Sequence, residues 1–438
     1  MSLEWQDVVL KDVLSEKGYI RGPFGSALKR SEMKSEGIPV YEQQNAIYNN
    51  RNFRYYIDDD KYQSLKRFTT VTDDLIISCS GTVGKVSIIK ENDPKGIISQ
   101  ALLTLRVNKE LILPEFLKYF FSSYEGYNSL VSRSTGSVQV NISKRAVIEE
   151  IPLKLPPLDI QRNIVYYLQL IDAKIENCNS INRNLAKLID LSFKNYLLNF
   201  DKYAEDELAS SEFGPIPKGW KVSNLTGIAN YQNGLAMQKF PPESSEESFK
   251  VLKIKELRQG YFDETSDSCS KNIKEECIVY DGDVIFSWSG SLLVDIWTGG
   301  MCGLNQHLFK VTSSNFDKWF YYCWTKFYLD QFILIAKDKA TTMGHIKRKH
   351  LDESLVLIPD NMAYKKLTNL FKPLFDYLIK NKMEIKNLQK LRDTLLPKLM
   401  SGEIDVSEIN CDMQEISTNN WDNKFTVPLQ NNLIKVIS

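Results

Sequence analysis

The stretches Asp74-Leu-Ile-Ile-Ser-Cys-Ser-Gly81 and Asp283-Val-Ile-Phe-Ser-Trp-Ser-Gly290 are two versions of one pattern within a single chain. Each version places apolar residues between an aspartate and a Ser-X-Ser-Gly sequence. This arrangement predicts a buried β-strand that ends in a tight turn. The two versions begin 209 residues apart (283 minus 74), a distance typical of a duplicated domain and not of a short solenoid repeat.

Other short matches support the duplication because they occur in the same order in both halves of the 438-residue chain. The offset between matching positions drifts only from 215 (220 minus 5) to 203 (387 minus 184). We therefore expect two related domains, each with a β-rich part that ends at a proline and is followed by a long helix. The further matching pairs are Trp5 and Leu10 with Trp220 and Leu225, Ile98–Leu103 with Leu304–Phe309, and Asn184–Asp190 with Asn387–Asp393.

Two long helical patterns carry apolar residues at alternating spacings of three and four, and each is interrupted by a polar residue, Asn182 or Asn381. A 3.5-residue period keeps one seam of a helix facing a partner helix, so a coiled coil is expected. The alternative is that each helix lies on its own domain. The expected seam residues are Ile164, Leu168, Ile171, Ile175, Leu185, Leu374, Leu378, Ile385, Leu388 and Leu395.

The predicted fold class is α+β, with two duplicated β-rich domains and two long helices. Between the halves, Glu205–Gly219 is polar and contains prolines, which is typical of an exposed linker. The predicted segments are a first domain at 1–155, a first helix at 156–200, a linker at 201–219, a second domain at 220–357, a second helix at 358–402 and a polar C-terminal tail at 403–438.

Composition is that of an ordinary soluble globular protein, with 43% hydrophobic and 25% charged residues. No run of about 20 apolar residues predicts a membrane span, and the N-terminus lacks a signal-peptide core. None of the seven cysteines forms a CxxC pair, so reduced thiols in a cytoplasm are expected. The 55 basic and 55 acidic side chains cancel. A neutral chain argues against tight DNA binding by the isolated protein, yet it permits local basic faces and cationic partners.

Motifs for nucleotide binding and catalysis fail on inspection. Ser80–Lys85 resembles the end of a phosphate-binding loop, but Cys79 and Val86 stand where a glycine and a hydroxyl are required, so a tight turn is predicted. No dinucleotide, S-adenosylmethionine or adenine-methyltransferase motif occurs. Asp360 precedes Glu384 by 24 residues along a helix, so these carboxylates cannot share a metal ion. The three histidines have no close-spaced acidic or cysteine partner, so no catalytic residue, metal or bound cofactor is expected.

Two corresponding segments combine cations with small polar side chains, Ser134–Arg145 in the first half and Thr341–Lys349 in the second. Cations position the phosphate backbone of DNA, and amide, hydroxyl and imidazole groups can read base edges. The loop Arg21–Arg30, its weaker counterpart Gln232–Ala236 and the aromatic run Tyr48–Tyr56 are further candidates. The alternatives are solvated loops and, for the aromatic run, core packing. The candidate DNA-binding residues are Ser26, Lys29, Arg30, Gln139, Asn141, Lys144, Arg145, Thr341, Thr342, His345, Lys347, Arg348 and Lys349.

Several of these motifs, taken in order over residues 1–402, resemble the specificity subunit of Type I restriction–modification systems. The second copy departs from the family pattern, because Ile358-Pro-Asp-Asn-Met362 replaces a double proline and no acid–Gln pair follows. This departure blurs where the second helix begins. The matching motifs are Gly25–Lys29, Ser80–Lys85, Asn141–Lys144 and, most specifically, Ile151-Pro-Leu-Lys-Leu-Pro-Pro-Leu-Asp-Ile-Gln161.

The resemblance implies two target-recognition domains held apart by an antiparallel helix pair in a pseudo-two-fold arrangement. Each domain would read one half of a bipartite double-stranded DNA site across an unread spacer. Two methylation subunits and motor–nuclease restriction subunits would join the chain in a prokaryotic cytoplasm and carry out adenine methylation and ATP-dependent restriction in host defence. S-adenosylmethionine, ATP and Mg²⁺ would belong to those partners. The alternatives are a coiled-coil scaffold that bridges partners without reading DNA, and an enzyme whose motifs have diverged.

Overall fold

The computed structural model describes residues 5–24, 27–133, 140–243, 247–338 and 344–407, with the backbone alone at 132, 133, 140, 141 and 338. Contacts divide the chain into two units. Unit 1 comprises Met1–Ala173 and Gln389–Ser438, and unit 2 comprises Lys174–Leu388. Each unit therefore contains one β-rich domain together with part of both long helices.

Unit 1 is built on a four-stranded antiparallel sheet and a smaller three-stranded sheet. Its strands are β1 (Gln6–Val9), β2 (Leu14–Arg21), β3 (Ile38–Tyr41), β4 (Tyr56–Ile57), β5 (Leu75–Ser78), β6 (Val86–Ile88), β7 (Ile97–Ile98), β8 (Leu102–Val107), β9 (Val131–Arg133), β10 (Val140–Ile142) and β11 (Pro152–Leu155). Its short helices are α1 (Gln43–Ile47), α2 (Asp59–Ser64), α3 (Pro114–Ser122), α4 (Tyr124–Leu130) and α5 (Arg145–Glu149). The larger sheet has the order β2-β8-β5-β6, the smaller one has the order β4-β3-β7, and β1 pairs with β11.

Strand β5 is the strand that the repeated pattern predicts, and all four of its residues are buried. Asp74, immediately before it, is also buried, and its carboxylate accepts two hydrogen bonds from Arg106 on β8, at 2.7 and 2.8 Å. In unit 2 the equivalent Asp283 pairs with Lys310 at 3.0 Å. A buried carboxylate is retained only where such partners satisfy it. The repeated aspartate therefore ties the start of the central strand to its neighbour in both domains.

Unit 2 repeats the topology of unit 1. Its strands are β12 (Leu208–Ser211), β13 (Gly214–Pro217), β14 (Lys221–Asn224), β15 (Asn230–Asn233), β16 (Ser248–Leu252), β17 (Ser268–Ser270), β18 (Ile278–Val279), β19 (Val284–Ser287), β20 (Leu293–Ile296), β21 (Cys302–Leu304), β22 (Leu308–Thr312) and β23 (Leu355–Ile358). Its short helices are α7 (Leu225–Ile228), α8 (Ile254–Gln259), α9 (Lys318–Phe327), α10 (Leu329–Asp338) and α11 (Arg348–Asp352).

The sheet order β15-β22-β19-β20 in unit 2 matches β2-β8-β5-β6 in unit 1, strand for strand. The second sheets correspond in part, because β16 pairs with β21 in parallel as β3 does with β7, although that of unit 2 has four strands in the order β17-β16-β21-β18. The pairing of β14 with β23 repeats that of β1 with β11. The predicted α+β fold with two duplicated domains is thus confirmed.

Two long helices follow the β-rich domains. The first, α6, covers Leu158–Phe193 and continues as a π-helical turn over Lys194–Leu198, and the second, α12, covers Asn361–Ser401. In unit 1 the two helices run antiparallel, because Asn163 contacts Val406 while Asp172, farther along α6, contacts Arg392. No helix in the described ranges is long and apolar enough to cross a membrane.

The ten expected seam residues all face away from bulk solvent to some degree. Six of them are buried and four are half-buried, and among the latter Leu185 and Leu374 pack against the core of unit 2. The buried ones are Ile164, Leu168, Ile171, Ile175, Leu378 and Leu395, and the half-buried ones are Leu185, Leu374, Ile385 and Leu388. Asn381, at the polar interruption of the second pattern, is only 6% exposed.

The segment expected as an exposed linker forms a β-hairpin instead. Strands β12 and β13 pair with each other, and Gly214 in the turn has a φ of 105°, which favours glycine. Ile216 is buried in the core of unit 2, and the Phe213 ring lies 6.1 Å from that of Trp324. The prolines and acidic residues suggested a loop, but these two apolar side chains anchor the segment to the domain.

Candidate nucleic-acid interface

In unit 1 three loops meet at one end of the larger sheet. Strand β2 ends at Arg21, opposite Leu103, and β5 ends at Ser78, opposite Leu102. Beyond each strand the chain remains hydrogen-bonded to the start of β8 or to the residue before it. The Gly22 amide donates to the Leu102 carbonyl at 3.0 Å, and the Cys79 amide donates to the Ala101 carbonyl at 2.9 Å. The predicted glycine-rich loop, the Ser80–Lys85 turn and the Ser99–Gln100 segment therefore share one edge.

A glycine is required where the first of these loops leaves the sheet. A Cβ atom at Gly22 would lie 1.9 Å from the Ser99 carbonyl oxygen. At the equivalent position in unit 2, a Cβ at Gly234 would lie 2.2 Å from the Leu304 oxygen and 2.3 Å from the Asn305 oxygen. Both distances are far below van der Waals contact, so the close approach of the two loops depends on glycine in each domain.

The Ser80–Lys85 segment is a tight turn between β5 and β6, as the sequence predicts. The Ser78 hydroxyl donates to the Thr82 carbonyl at 2.6 Å and accepts the Lys85 amide at 3.0 Å, which closes the turn. Ser287 in unit 2 donates to Ser291 at 2.9 Å in the same way. The repeated Ser-X-Ser-Gly sequence thus shapes a turn that points off the end of the sheet in both domains.

In unit 2 the corresponding edge also includes part of the predicted recognition segment. The Gly290 amide donates to the Gly344 carbonyl at 2.9 Å, and the Ile346 amide donates to Trp288 at 3.1 Å. Ser289 and His345 form an isolated β-bridge. Residues 344–346 therefore lie against the turn between β19 and β20, next to the segment that leads into β22.

An aromatic and imidazole cluster occupies this edge of unit 2. The Trp288 ring lies 6.1 Å from the His307 ring and 6.3 Å from the His345 ring, and Gln306 Nε2 lies 3.3 Å from His307 Nε2. Trp288 Nε1 and His307 Nδ1 are buried, and neither has a hydrogen-bond partner among the described residues. The His307 ring is half-buried, and of its two nitrogens Nε2 has a partner whereas Nδ1 has none among the described residues.

The equivalent edge of unit 1 carries a different set of side chains on the same backbone frame. Trp288 corresponds to Cys79 and His307 to Ala101 in the aligned repeats. Arg21 Nη1, Gln43 Oε1 and Ser99 Oγ are buried here, again without hydrogen-bond partners in the described ranges. Burial raises the pKa of the Cys79 thiol to about 11, an effect that the nearby Arg21 opposes.

Sequence reasoning did not select Trp288, Gln306, Arg21 or Gln43 as single candidates. The signal that could have found most of them is the comparison of the two repeats. The strands keep their apolar character at matched positions, whereas side chains change type just beyond the strand ends. Gln43 has no such signal, because helix α1 reaches the edge only through the tertiary fold.

Four of the five cations of the two recognition segments form two matched pairs. Lys144 and Lys347 each precede a short helix, are exposed, and have no ion-pair partner among the described residues. Arg145 begins α5 and pairs with Glu149 at 2.8 Å, with its guanidinium 5.0 Å from the centre of the Tyr19 ring.

Arg348 begins α11, donates to the Tyr231 carbonyl at 2.8 Å and lies 5.9 Å from the Phe309 ring. Tyr19 and Tyr231 occupy equivalent positions on β2 and β15, opposite Leu105 and Val311. Arg145 and Arg348 therefore both contact the sheet, whereas the lysine before each has no ion-pair partner among the described residues.

The remaining candidates have mixed surroundings. Lys29 is exposed, Arg30 donates to the Tyr55 hydroxyl at 2.9 Å, and Lys349 pairs with Glu353 at 3.3 Å. Within the aromatic run, Phe53 and Tyr55 pack against the core of unit 1, while Tyr48 is 72% exposed. The side chains of five candidates are not described. Ser26, Gln139, Thr341 and Thr342 lie outside the described residues, and only the backbone of Asn141, in β10, is described.

The predicted separation of Asp360 from Glu384 also follows from the fold. Asp360 caps the start of α12 and accepts the amides of Met362 and Ala363 at 2.8 and 2.9 Å, whereas Glu384 lies deep in that helix. Across the described residues, no group of three or more His, Cys, Asp or Glu side chains is arranged to hold a metal ion.

Comparisons with known proteins agree with this architecture. Residues 3–187 match the family model of the Type I restriction modification DNA specificity domain. The chain is 28% identical over 315 residues to the Type I restriction enzyme MjaIX specificity subunit of Methanocaldococcus jannaschii, covering 69% of this chain and 72% of that one. It is 22% identical over 408 residues to the MjaVIII specificity subunit of the same organism, covering 88% and 93%.

A crystal structure of a Type I restriction–modification S subunit from M. genitalium shares the fold. It has a TM-score of 0.52 at 15% identity and covers 91% of this chain and 96% of that one. Residues 3–187 thus match the DNA specificity domain of the family, and the chain as a whole is similar in sequence and in fold to Type I restriction–modification specificity subunits.

Proposed function

We propose that each unit reads one half of a bipartite DNA site through the loop edge of its larger sheet, and that the chain performs no catalysis itself. The observation that carries this proposal is that one loop edge is built twice on matched strands but carries different side chains. Base edges in the major groove differ in their donors and acceptors, so different side chains on one frame select different bases.

Unsatisfied polar atoms at both edges support the proposal. Arg21, Gln43 and Ser99 in unit 1, and Trp288 and His307 in unit 2, each hold a buried donor or acceptor without a partner among the described residues. Such an atom costs about 1–3 kcal/mol of stability, and native proteins keep few of them. Rearrangement of the edge loops on DNA would give these groups base edges as partners.

We assign the cations at each edge to two roles. Lys144 and Lys347 contact phosphate groups, because their ammonium groups are exposed and have no anionic partner in the described ranges. Arg145 and Arg348 hold the recognition segment against the sheet through the contacts given above. The two kinds of cation are adjacent in sequence, so only the fold distinguishes them.

The partners of the chain follow from the family and from its charge. The net charge is zero, so two methylation subunits and motor–nuclease subunits would share the contacts to DNA phosphates. Those partners would bind S-adenosylmethionine, ATP and Mg²⁺ and would carry out adenine methylation and restriction in a prokaryotic cytoplasm. The helix pair would set the length of the unread spacer.

The test uses two glutamines at equivalent positions, Gln100 in unit 1 and Gln306 in unit 2. We expect Gln306→Ala, in an active complex, to relax the methylated motif at one half-site only. Gln100→Ala should relax the other half-site only, so each variant is the control for the other. Loss of a good base contact costs about 1–3 kcal/mol of discrimination, which methylome sequencing resolves as mixed bases at the affected positions.

Two outcomes would contradict the proposal. A change in both half-sites from either single variant would show that the units do not read independently. Unchanged motifs in both variants, with both proteins still assembled, would show that these edges do not read DNA. A scaffold that bridges partners predicts the second outcome.

A further inference from the structure

A cavity of about 480 Å³ lies within unit 1, between the β-rich domain and the helix segments of the same unit. Three cations line it, namely Lys85, Lys118 and Arg392, together with Tyr124 and two acidic residues, Asp172 and Asp393, of which Asp393 pairs with Arg392 at 3.1 Å. Its volume is in the range of small-ligand sites. Gly84 and Lys85, at the end of the Ser80–Lys85 turn, are among its lining residues, so the cavity borders the loop edge.

The cavity wall contains a polar network that lacks one partner. Asp172 accepts a hydrogen bond from the Tyr119 hydroxyl at 2.8 Å and pairs with Arg392 at 3.0 Å. Lys118 lies next to this network, with its ammonium 5.3 Å from the Tyr119 ring centre, and this ammonium makes no hydrogen bond or ion pair with a described residue. Burial lowers the pKa of Lys118 below its ordinary value, and Asp172 opposes this shift.

In unit 2, aromatic and aliphatic side chains replace three of these charged residues, whereas Asp190 corresponds to Asp393. At the 203-residue offset of the helices, Asp172 corresponds to Phe375 and Arg392 to Ile189. Phe375 packs its ring 5.2 Å from that of Tyr322, which corresponds to Tyr119, and Ile189 is buried in the core of unit 2. Tyr321 stands in place of Lys118 and is buried.

The comparison separates what the fold requires from what unit 1 adds. In unit 2 the helix packs against the domain through an apolar cluster at this place. The charged network of unit 1 is therefore not needed for this packing. Charges removed from water lower stability unless they are fully paired, and Lys118 is not. Retaining an unpaired ammonium at a cavity is expected where an anionic ligand completes the set of partners.

We infer that this cavity of unit 1 binds a small anion through a phosphate or carboxylate group held by Lys118, with Arg392 beside it. Tyr124, which is 77% exposed at the cavity, gives a flat surface for an attached ring. This inference does not depend on the proposed DNA reading, because Lys118, Asp172 and Arg392 have no part in that proposal.

The test measures binding of inorganic phosphate and of adenosine monophosphate to the full chain by calorimetry, at constant ionic strength. We expect both to bind, and Lys118→Met to weaken binding at least tenfold. Lys66→Met, which removes an exposed lysine of the same unit outside the cavity, should leave binding unchanged. Absence of binding to the unmodified chain would overturn the inference, as would equal binding by the Lys118→Met variant.

A second variant places the residues of unit 2 in unit 1, as Lys118→Tyr, Asp172→Phe and Arg392→Ile together. We expect this chain to fold, to unfold at the same or a higher temperature without anion, and to gain no stability from phosphate. Phosphate binding at the original affinity in this variant would also overturn the inference. If the triple variant fails to fold, the Lys118→Met comparison decides alone.

Discussion

The different roles proposed for Lys144, a phosphate contact, and for Arg145, a contact within the protein, allow a direct test of the DNA contacts. We expect Lys144→Ala to make DNA binding by the assembled methyltransferase less salt-dependent, because one phosphate contact is lost. Each contact contributes about 0.9 to the slope of log affinity against log salt. Between about 50 and 200 mM salt the variant should therefore lose about 3.5-fold less affinity than the unmodified complex.

Arg145→Ala should behave differently because its guanidinium is already engaged with Glu149 and Tyr19. An exposed ion pair contributes about 0.3–0.5 kcal/mol and an exposed cation–π contact about 0.5–1 kcal/mol. We therefore expect a loss of about 1 kcal/mol in the free energy of unfolding and an unchanged salt slope. Glu149→Gln is the matched control, since it weakens the ion pair without removing the cation.

The assay is fluorescence anisotropy with labelled target DNA at four salt concentrations, together with denaturant unfolding of each variant. Lys347→Ala in unit 2 should reproduce the Lys144→Ala result, and the double variant should shift the slope by about 1.8. The reasoning would be refuted if Lys144→Ala left the slope unchanged, or if Arg145→Ala lowered it by the same amount.

Three further predictions concern the frame of the protein. Gly234→Ala should destabilise unit 2 by about 1–3 kcal/mol and abolish reading of one half-site, because its Cβ would lie 2.2 Å from the Leu304 oxygen. Denaturant unfolding measures the first effect and methylome sequencing the second. An unchanged methylated motif would contradict this prediction. Asn381→Leu should raise the unfolding midpoint, because Asn381 Nδ2 is buried without a partner in the described ranges, and should admit shifted helix registers seen as heterogeneity by NMR. A lower midpoint would show that the amide is satisfied. Seven residues inserted near both Asn182 and Ile385 keep heptad phase and add about 10 Å of helix, so the unread spacer should grow by about three base pairs. An unchanged methylated spacer would mean that the helices do not set it, and a three-residue insertion should instead destabilise the chain.

The duplication could be predicted because burial constrains it. Asp74 and Asp283 must pair at the entry of a buried strand, and the serines at the turns must close them, so these residues persist in both copies. The heptad pattern follows from the same kind of constraint. The hairpin in the expected linker was missed because two apolar side chains, Phe213 and Ile216, outweigh a polar and proline-rich context.

The interface residues were less accessible to sequence reasoning. Arg145 and Lys144 are neighbouring cations, and only the placement of Tyr19 on β2 determines which of them contacts the sheet. His307 was not selected as an interface residue, because the spacing rules for histidine concern metal binding. Its neighbours Trp288 and His345 lie in other segments of the chain. Loop positions are set by tertiary contacts that no local pattern records.

The make-up of the two units has a consequence for how the protein is synthesised. Unit 2 is one uninterrupted segment, Lys174–Leu388, whereas unit 1 needs both the first domain and residues from Gln389 onwards. On the ribosome, unit 2 can therefore complete its core while unit 1, although translated first, still lacks the Arg392 side chain and the last turns of α12. A late premature stop codon would thus damage the domain that is encoded earlier and spare the domain that is encoded later.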